Sequence, residues 1–121
     1  MGIFGASAGH FRAQIEISPC GPETRERPAY NGIRWSFVFA EEWDEDPERT
    51  THSEIWPEFL ADDQSPVPVD VPLEGVNDAR MHIVFTDRVD YYMKRIQIGQ
   101  RFSCMEGARK VAAGIVTAME A

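Results

Sequence analysis

The sequence predicts an all-β chain: a single small antiparallel β-barrel of about six strands with an acidic irregular insert. Three observations predict it. Several short segments alternate apolar and polar residues with the period of a half-buried strand. Stretches rich in Gly, Pro and charge separate these segments at turn-like intervals. No segment carries a sustained helical repeat of apolar positions.

Residues 11–17 place Phe11, Ala13, Ile15 and Ile17 on one side and Arg12, Gln14 and Glu16 on the other, which predicts the first strand. Residues 18–28 hold Pro19, Gly21, Pro22 and Pro28 among charges and predict a loop. Residues 33–40, aromatic and alternating at their start, predict the second strand. Residues 41–65 are acidic and interrupted by Pro47 and Pro57, with Ile55, Trp56, Phe59 and Leu60 as apolar anchors. They predict an irregular insert with a short helical turn over residues 56–61. Residues 66–71 alternate again, but Pro66 and Pro68 restrict them to an edge strand or the approach to one. Residues 79–85 predict a further strand, and residues 87–95 stay open between loop, helical turn and strand. Residues 96–105 and 110–119 predict a closing hairpin around a turn at 106–109, where Gly107 permits positive φ.

The 121 residues fit one domain, 1–121, with the barrel in 11–40 and 66–119 and the insert in 41–65. Hydrophobic content of 43% and charged content of 26% are those of a globular chain. No apolar run approaches the roughly 20 residues of a membrane-spanning helix. The N-terminus lacks the basic flank of a signal peptide, and the spacing of Gly2 and Ser7 misses a myristoylation site. These features predict a cytoplasmic protein with no membrane partner. Cys20 and Cys104 are too few for a disulfide framework and lack zinc-ligand spacing. Cys104 reads as a buried inert thiol and Cys20 as a loop thiol. The net charge of −8 argues against a general nucleic-acid binder. It is concentrated: from Glu41 to Asp63 ten acids face one base, Arg49, giving −9 and leaving +1 for the remainder.

The two ends of the chain carry a resemblance. Across residues 11–39, Arg25 and Pro28 take the Arg and Pro of a long first loop. Gly32 and Arg34 take the Gly and Arg of a Gly-Tyr-Arg-Pro-Gln-Phe motif, followed by Phe37, Val38 and Phe39. At the other end Arg101, Phe102, Glu106, Gly107, Arg109, Val111, Ala113, Gly114, Ile115 and Val116 match an Arg-Phe … Glu-Gly-Gly-Arg-Thr-Val-Gly-Ala-Gly-Val-Val ending. The chain therefore resembles the third domain of elongation factor Tu, the C-terminal β-barrel of a bacterial translation GTPase, here as a stand-alone unit. The likeness covers nearly the whole chain, strongly at the ends and loosely over residues 81–85. Departures are Glu26 for His, Trp35 for Pro, Ser36 for Gln and Ala108 for the second Gly.

In that family the barrel holds the T-stem of aminoacyl-tRNA. The resemblance thus implies RNA-binding candidates at Arg25, Arg34, Glu106 and Gly107, with Arg109 beside them. It implies neither catalysis nor a nucleotide cofactor, because the GTPase domain has no counterpart here. Strong phosphate binders use roughly 6–10 contacts, and three arginines beside an acidic insert supply far fewer. A basic protein partner is therefore favoured over tRNA, either a component of the translation apparatus or a toxin that the chain neutralises. Trp43, Asp44, Glu45, Asp46 and Trp56 are its candidate contacts. The plainer readings are a solvated mobile insert and arginines paired locally with acids. His82 reads as a surface or satisfied barrel histidine rather than a catalyst, and neither His52 nor Asp44, Glu45 and Asp46 has the ligand spacing of a metal site. No cofactor and no catalytic residue is predicted.

Overall fold

The computed structural model describes residues 9–120. Residues 1–8, which carry the readings of the N-terminus and of Gly2 and Ser7, lie outside the described residues, as does residue 121. Six strands form the fold: β1 (Phe11–Ile17), β2 (Trp35–Phe39), β3 (Ser53–Leu60), β4 (Gly75–Ile83), β5 (Arg101–Glu106) and β6 (Arg109–Met119). They close an antiparallel barrel in the order β1-β4-β3-β2-β5-β6, with β6 returning to β1. Helix α1 (Ala40–Glu45) follows β2, and α2 (Val89–Arg95) precedes β5. No helix among the described residues is long and apolar enough to cross a membrane.

Alternation builds the core. In β1, Phe11, Ala13, Ile15 and Ile17 are buried while Gln14 and Glu16 are exposed. Phe37 stands at the centre of an aromatic cluster, with ring centroids 6.2 Å from Phe11, 5.2 Å from Phe39, 4.9 Å from Phe102 and 6.0 Å from Tyr92. Most of these pairs meet edge to face, the arrangement that aromatic quadrupoles favour. Tyr92 is buried by α2, whereas its neighbour Tyr91 is 45% exposed. The bore is narrow: Gly114 of β6 pairs with Phe102 of β5, and a Cβ built on Gly114 would lie 2.3 Å from the Phe102 ring.

The acidic stretch is not an irregular insert. It contains α1, a 3₁₀ turn at Pro47–Arg49 and the barrel strand β3, so residues 56–61 run as strand to Leu60 instead of forming a helical turn. The barrel accordingly does not divide at residues 41–65. Ser53, Ile55, Pro57 and Phe59 occupy one face of β3, and Glu54, Trp56 and Glu58 occupy the other. The carboxylates that mark a loop in sequence instead meet Arg34 and Arg80, each at 3.8 Å.

Pro57 is tolerated for a local reason. Strand β2 pairs with β3 only as far as Ile55. The N–H of Phe59, two residues on and pointing the same way, donates to Asn31 Oδ1 at 2.8 Å. The N–H that Pro57 lacks would therefore face the side where strand pairing has ended. Asn31 fills that side. Its Nδ2 donates to the Phe59 carbonyl at 3.0 Å and to the Val67 carbonyl at 2.9 Å.

Residues 66–71 form no strand. Pro66 makes one bridge with Leu60, and a turn then closes with the Val71 N–H on the Pro68 carbonyl at 3.1 Å. Prolines at 66, 68 and 72 withdraw the donors that a ladder needs. The open stretch at 87–95 is helical in α2, and residues 97–100 form a turn, so the last hairpin begins at Arg101.

Candidate functional site

The first loop, the second strand and the final turn meet at one end of the barrel. Arg25 reaches from the loop and ion-pairs with Glu106 at the end of β5. The same carboxylate accepts from Trp35 Nε1 at 2.9 Å, so Glu106 joins three segments of chain. The Arg25 Nε donates to the Arg27 carbonyl at 3.1 Å, which fixes the loop side of the pair. Arg34 lies 4.4 Å above the Trp56 ring and 3.8 Å from Glu54. Trp56 is itself held by its Nε1 donating to the Gly32 carbonyl at 2.8 Å.

Arg34, Glu106 and Gly107 line one open cleft of about 460 Å³, together with His52, Phe85 and Arg88. Gly107 has φ +61° there, a conformation that suits glycine at the β5–β6 turn. Sequence reasoning missed Phe85 and Arg88. Neither carries a signal of its own, since only the entry to α2 brings them against β2 and β3. Arg109 is exposed opposite Glu106 in the β5–β6 register. The cleft is far from uniformly cationic. Glu106 neutralises Arg25 and Glu54 neutralises Arg34, while Arg88 and Arg109 form no ion pair among the described residues.

The acids gather elsewhere. Helix α1 exposes Glu41, Asp44 and Glu45, and its Trp43 packs edge-on against His52 with centroids 6.1 Å apart. Glu42 pairs with Arg95, whose guanidinium lies 4.5 Å over the Phe39 ring, so α1 is tied to α2 and the core. Asp46 accepts from the Glu48 N–H at 3.1 Å and pairs with Arg49 at 3.5 Å. The predicted protein-contact set therefore divides. Trp43, Asp44, Glu45 and Asp46 stand together, whereas Trp56 belongs with Arg34 on β3. Beside α1 a groove of about 670 Å³ runs between Glu41 and Asp44 on one wall and Ile98, 67% exposed, on the other.

The groups with the largest changes in proton affinity lie away from both clefts. His82 is 7% exposed on the outer side of β4, against Gly9 and His10. Burial lowers its pKa to about 4; a backbone hydrogen bond at Trp56 opposes this, and the charges of His10 and Arg80 reinforce it. Burial likewise lowers His10. The unfolded chain, with His near 6.5, therefore takes up the proton first. The His82 contribution to stability is complete above about pH 6.5 and is lost as the pH falls toward 4, by up to about 3 kcal/mol. His82→Gln is expected to flatten the stability–pH curve over that window in urea titrations. A slope identical to that of the parent chain would contradict this.

Cys104 is buried, and burial raises its thiol pKa; Cys20 is exposed, and both are free. Among the described residues no group of three or more His, Cys, Asp or Glu side chains is placed to hold a metal ion. No protein-family model matches this chain, and a search of curated proteins finds no match.

Proposed function

We propose that this chain is a non-catalytic binding module that recognises a basic protein partner through the acidic face of α1. One observation carries the reading. Glu41 and Asp44 share a groove with the exposed side chain of Ile98, with Glu45 exposed on the same helix; of the two arginines on that groove Arg95 is occupied by Glu42, and Arg101 forms no ion pair among the described residues. Free carboxylates bordering an exposed isoleucine suit a segment bearing lysine or arginine next to an aliphatic residue. Like-signed charge around such a patch speeds encounter with the opposite sign and weakens with salt. The resemblance to the third domain of elongation factor Tu points to translation components, or toxins acting on them, as the basic partner.

A second reading, tRNA or structured-RNA binding, is favoured by the gathering of Arg34, Glu106 and Gly107 in one cleft with Arg88. The local neutralisation of Arg25 and Arg34 counts against it.

One titration separates the two. An amphipathic lysine–leucine peptide is expected to move the amide signals of α1 and residues 97–101. Asp44→Asn with Glu45→Gln is expected to weaken it about tenfold, mostly through slower association. Asp46 is left intact because it caps the following turn. Unchanged affinity in that variant would refute the acidic-face reading. Tight tRNA binding lost in Arg34→Ala would replace it with the RNA reading.

A further inference from the structure

The chain enters β1 through a junction that joins the ends of three strands. The His10 N–H donates to the Met81 carbonyl of β4 at 2.8 Å, and the Glu120 N–H, just past β6, donates to the His10 carbonyl at 3.1 Å. The His10 side chain completes the junction, because the Ile83 N–H donates to its Nδ1 at 3.0 Å. Ile83 is the last residue of β4, and the β1–β4 register stops at Phe11 and Met81. The imidazole therefore stands where that ladder would otherwise continue. Gly9 lies close against β4 beside it, where a Cβ would sit 3.2 Å from the Met81 carbonyl oxygen and 3.4 Å from His82 Cε1.

This use of Nδ1 requires the uncharged ring. A neutral imidazole accepts at one nitrogen, whereas the imidazolium donates at both and accepts at neither. Protonating His10 thus deletes the bond from Ile83 and sets two donors face to face. Burial already disfavours the charged ring. The other charged and titratable groups around the junction offer a cation little. His82 stands on β4 with its ring centroid 6.3 Å from that of His10. Arg80 of β4 is paired with Glu58 of β3 at 3.8 Å, and Glu120 is paired with Arg12 of β1 at 3.8 Å.

We infer that His10 is an acid-released latch: its neutral ring holds residues 9–10 on the ends of β4 and β6, and its protonated ring lets them go. Release also uncovers His82, which packs against Gly9 and His10. Its pKa is held down to about 4 by burial first and then by the charges of His10 and Arg80, against an opposing backbone hydrogen bond at Trp56. In the opened form the burial is relieved and that value returns toward 6.5. The open form thus binds up to two more protons than the closed one, and acid favours the form that binds more. Opening is absent above about pH 6.5 and grows as the pH falls toward 4. It hands the Met81 carbonyl and the Ile83 and Glu120 N–H groups to solvent while the rest of the barrel stays closed.

Amide hydrogen exchange of the full chain between about pH 7.5 and about pH 4.5 tests this, corrected for the intrinsic pH dependence of exchange and read beside the ring signals of both histidines. The opening constant at Ile83 is expected to rise by up to about tenfold per pH unit for one proton, and more steeply once His82 takes the second. Amides at the centres of β1 and β5 are expected to stay protected. In His10→Asn the Oδ1 replaces Nδ1 as acceptor and takes up no proton in this range, so Ile83 should remain protected throughout. His10→Ala should leave Ile83 unprotected at every pH. The inference is overturned if Ile83 stays protected in the parent chain after the His10 ring has titrated, or if protection is lost at all amides together. A His10→Asn chain that opens with the parent's pH dependence also overturns it. If the shorter Asn side chain fails to reach Ile83 even at neutral pH, the comparison of Ile83 exchange with the His10 ring titration in the parent decides by itself.

Discussion

Asn31→Ala lowers the unfolding free energy by about 2–4 kcal/mol, read as a shift of the urea midpoint with the slope unchanged. The side chain is 6% exposed and makes three hydrogen bonds, accepting from the Phe59 N–H and donating to the carbonyls of Phe59 and Val67. It occupies the position that a neighbouring strand would fill beside the second half of β3. Truncation leaves the Phe59 N–H and the Val67 carbonyl without this partner, and the desolvation of such groups is not recovered, while the Phe59 carbonyl keeps the Val67 N–H at 3.0 Å. Asn31→Asp retains the acceptor but removes both donors, so it is expected to be at least as damaging. A loss below about 0.5 kcal/mol in Asn31→Ala would show that water or local rearrangement replaces the side chain, and would remove its role as the closure of β3.

Gly114→Ala costs about 1–3 kcal/mol for a single added methyl group. The new Cβ would lie 2.3, 2.7 and 2.8 Å from three carbons of the Phe102 ring. That ring cannot withdraw freely, because it packs against Phe37 at 4.9 Å and Phe11 at 6.4 Å inside the closed barrel. The second substitution Phe102→Leu makes room, so the double variant is expected to be more stable than the sum of the two single losses by about 0.5–3 kcal/mol. Strict additivity would mean that the barrel widens to accept the methyl group, and the narrow bore would then not be the constraint at this position.

Strand β1 was legible because its inward positions are apolar and its outward positions polar, the pattern a half-buried strand carries. Strands β2 and β6 were legible from their aromatic and branched apolar residues, with Gly107 marking the turn before β6. Strand β3 was not. Its outward side chains are Glu54, Trp56 and Glu58, and its centre is a proline, so every local signal favoured a loop. Those signals yield once Arg34 and Arg80 receive the carboxylates and Asn31 takes the place of a missing strand. Residues 66–71 erred in the opposite direction, since alternation alone cannot report whether a neighbour is present to accept the ladder.

The candidate sites divide in the same way. Arg25, Arg34, Glu106 and Gly107 could be named from residue type and spacing, and the structure does bring them to one end of the barrel. That Glu106 occupies Arg25 and Glu54 occupies Arg34 could not be read, because the partners lie 81 and 20 positions apart along the chain. Phe85 and Arg88 joined that cleft only through the path of the chain into α2. The exposed acids of α1 were visible as charge density, but Ile98 beside them was not.

Composition and periodicity were sufficient for the all-β class, since burial of alternating side chains is a local property of each segment; the count of about six strands included residues 66–71, which form none, and omitted β3. Closure of the barrel, the conversion of an acidic proline-bearing stretch into strand β3, and the neutralisation of the arginines depend on contacts between distant residues. Such contacts have no periodicity of their own and exist only once the chain is folded.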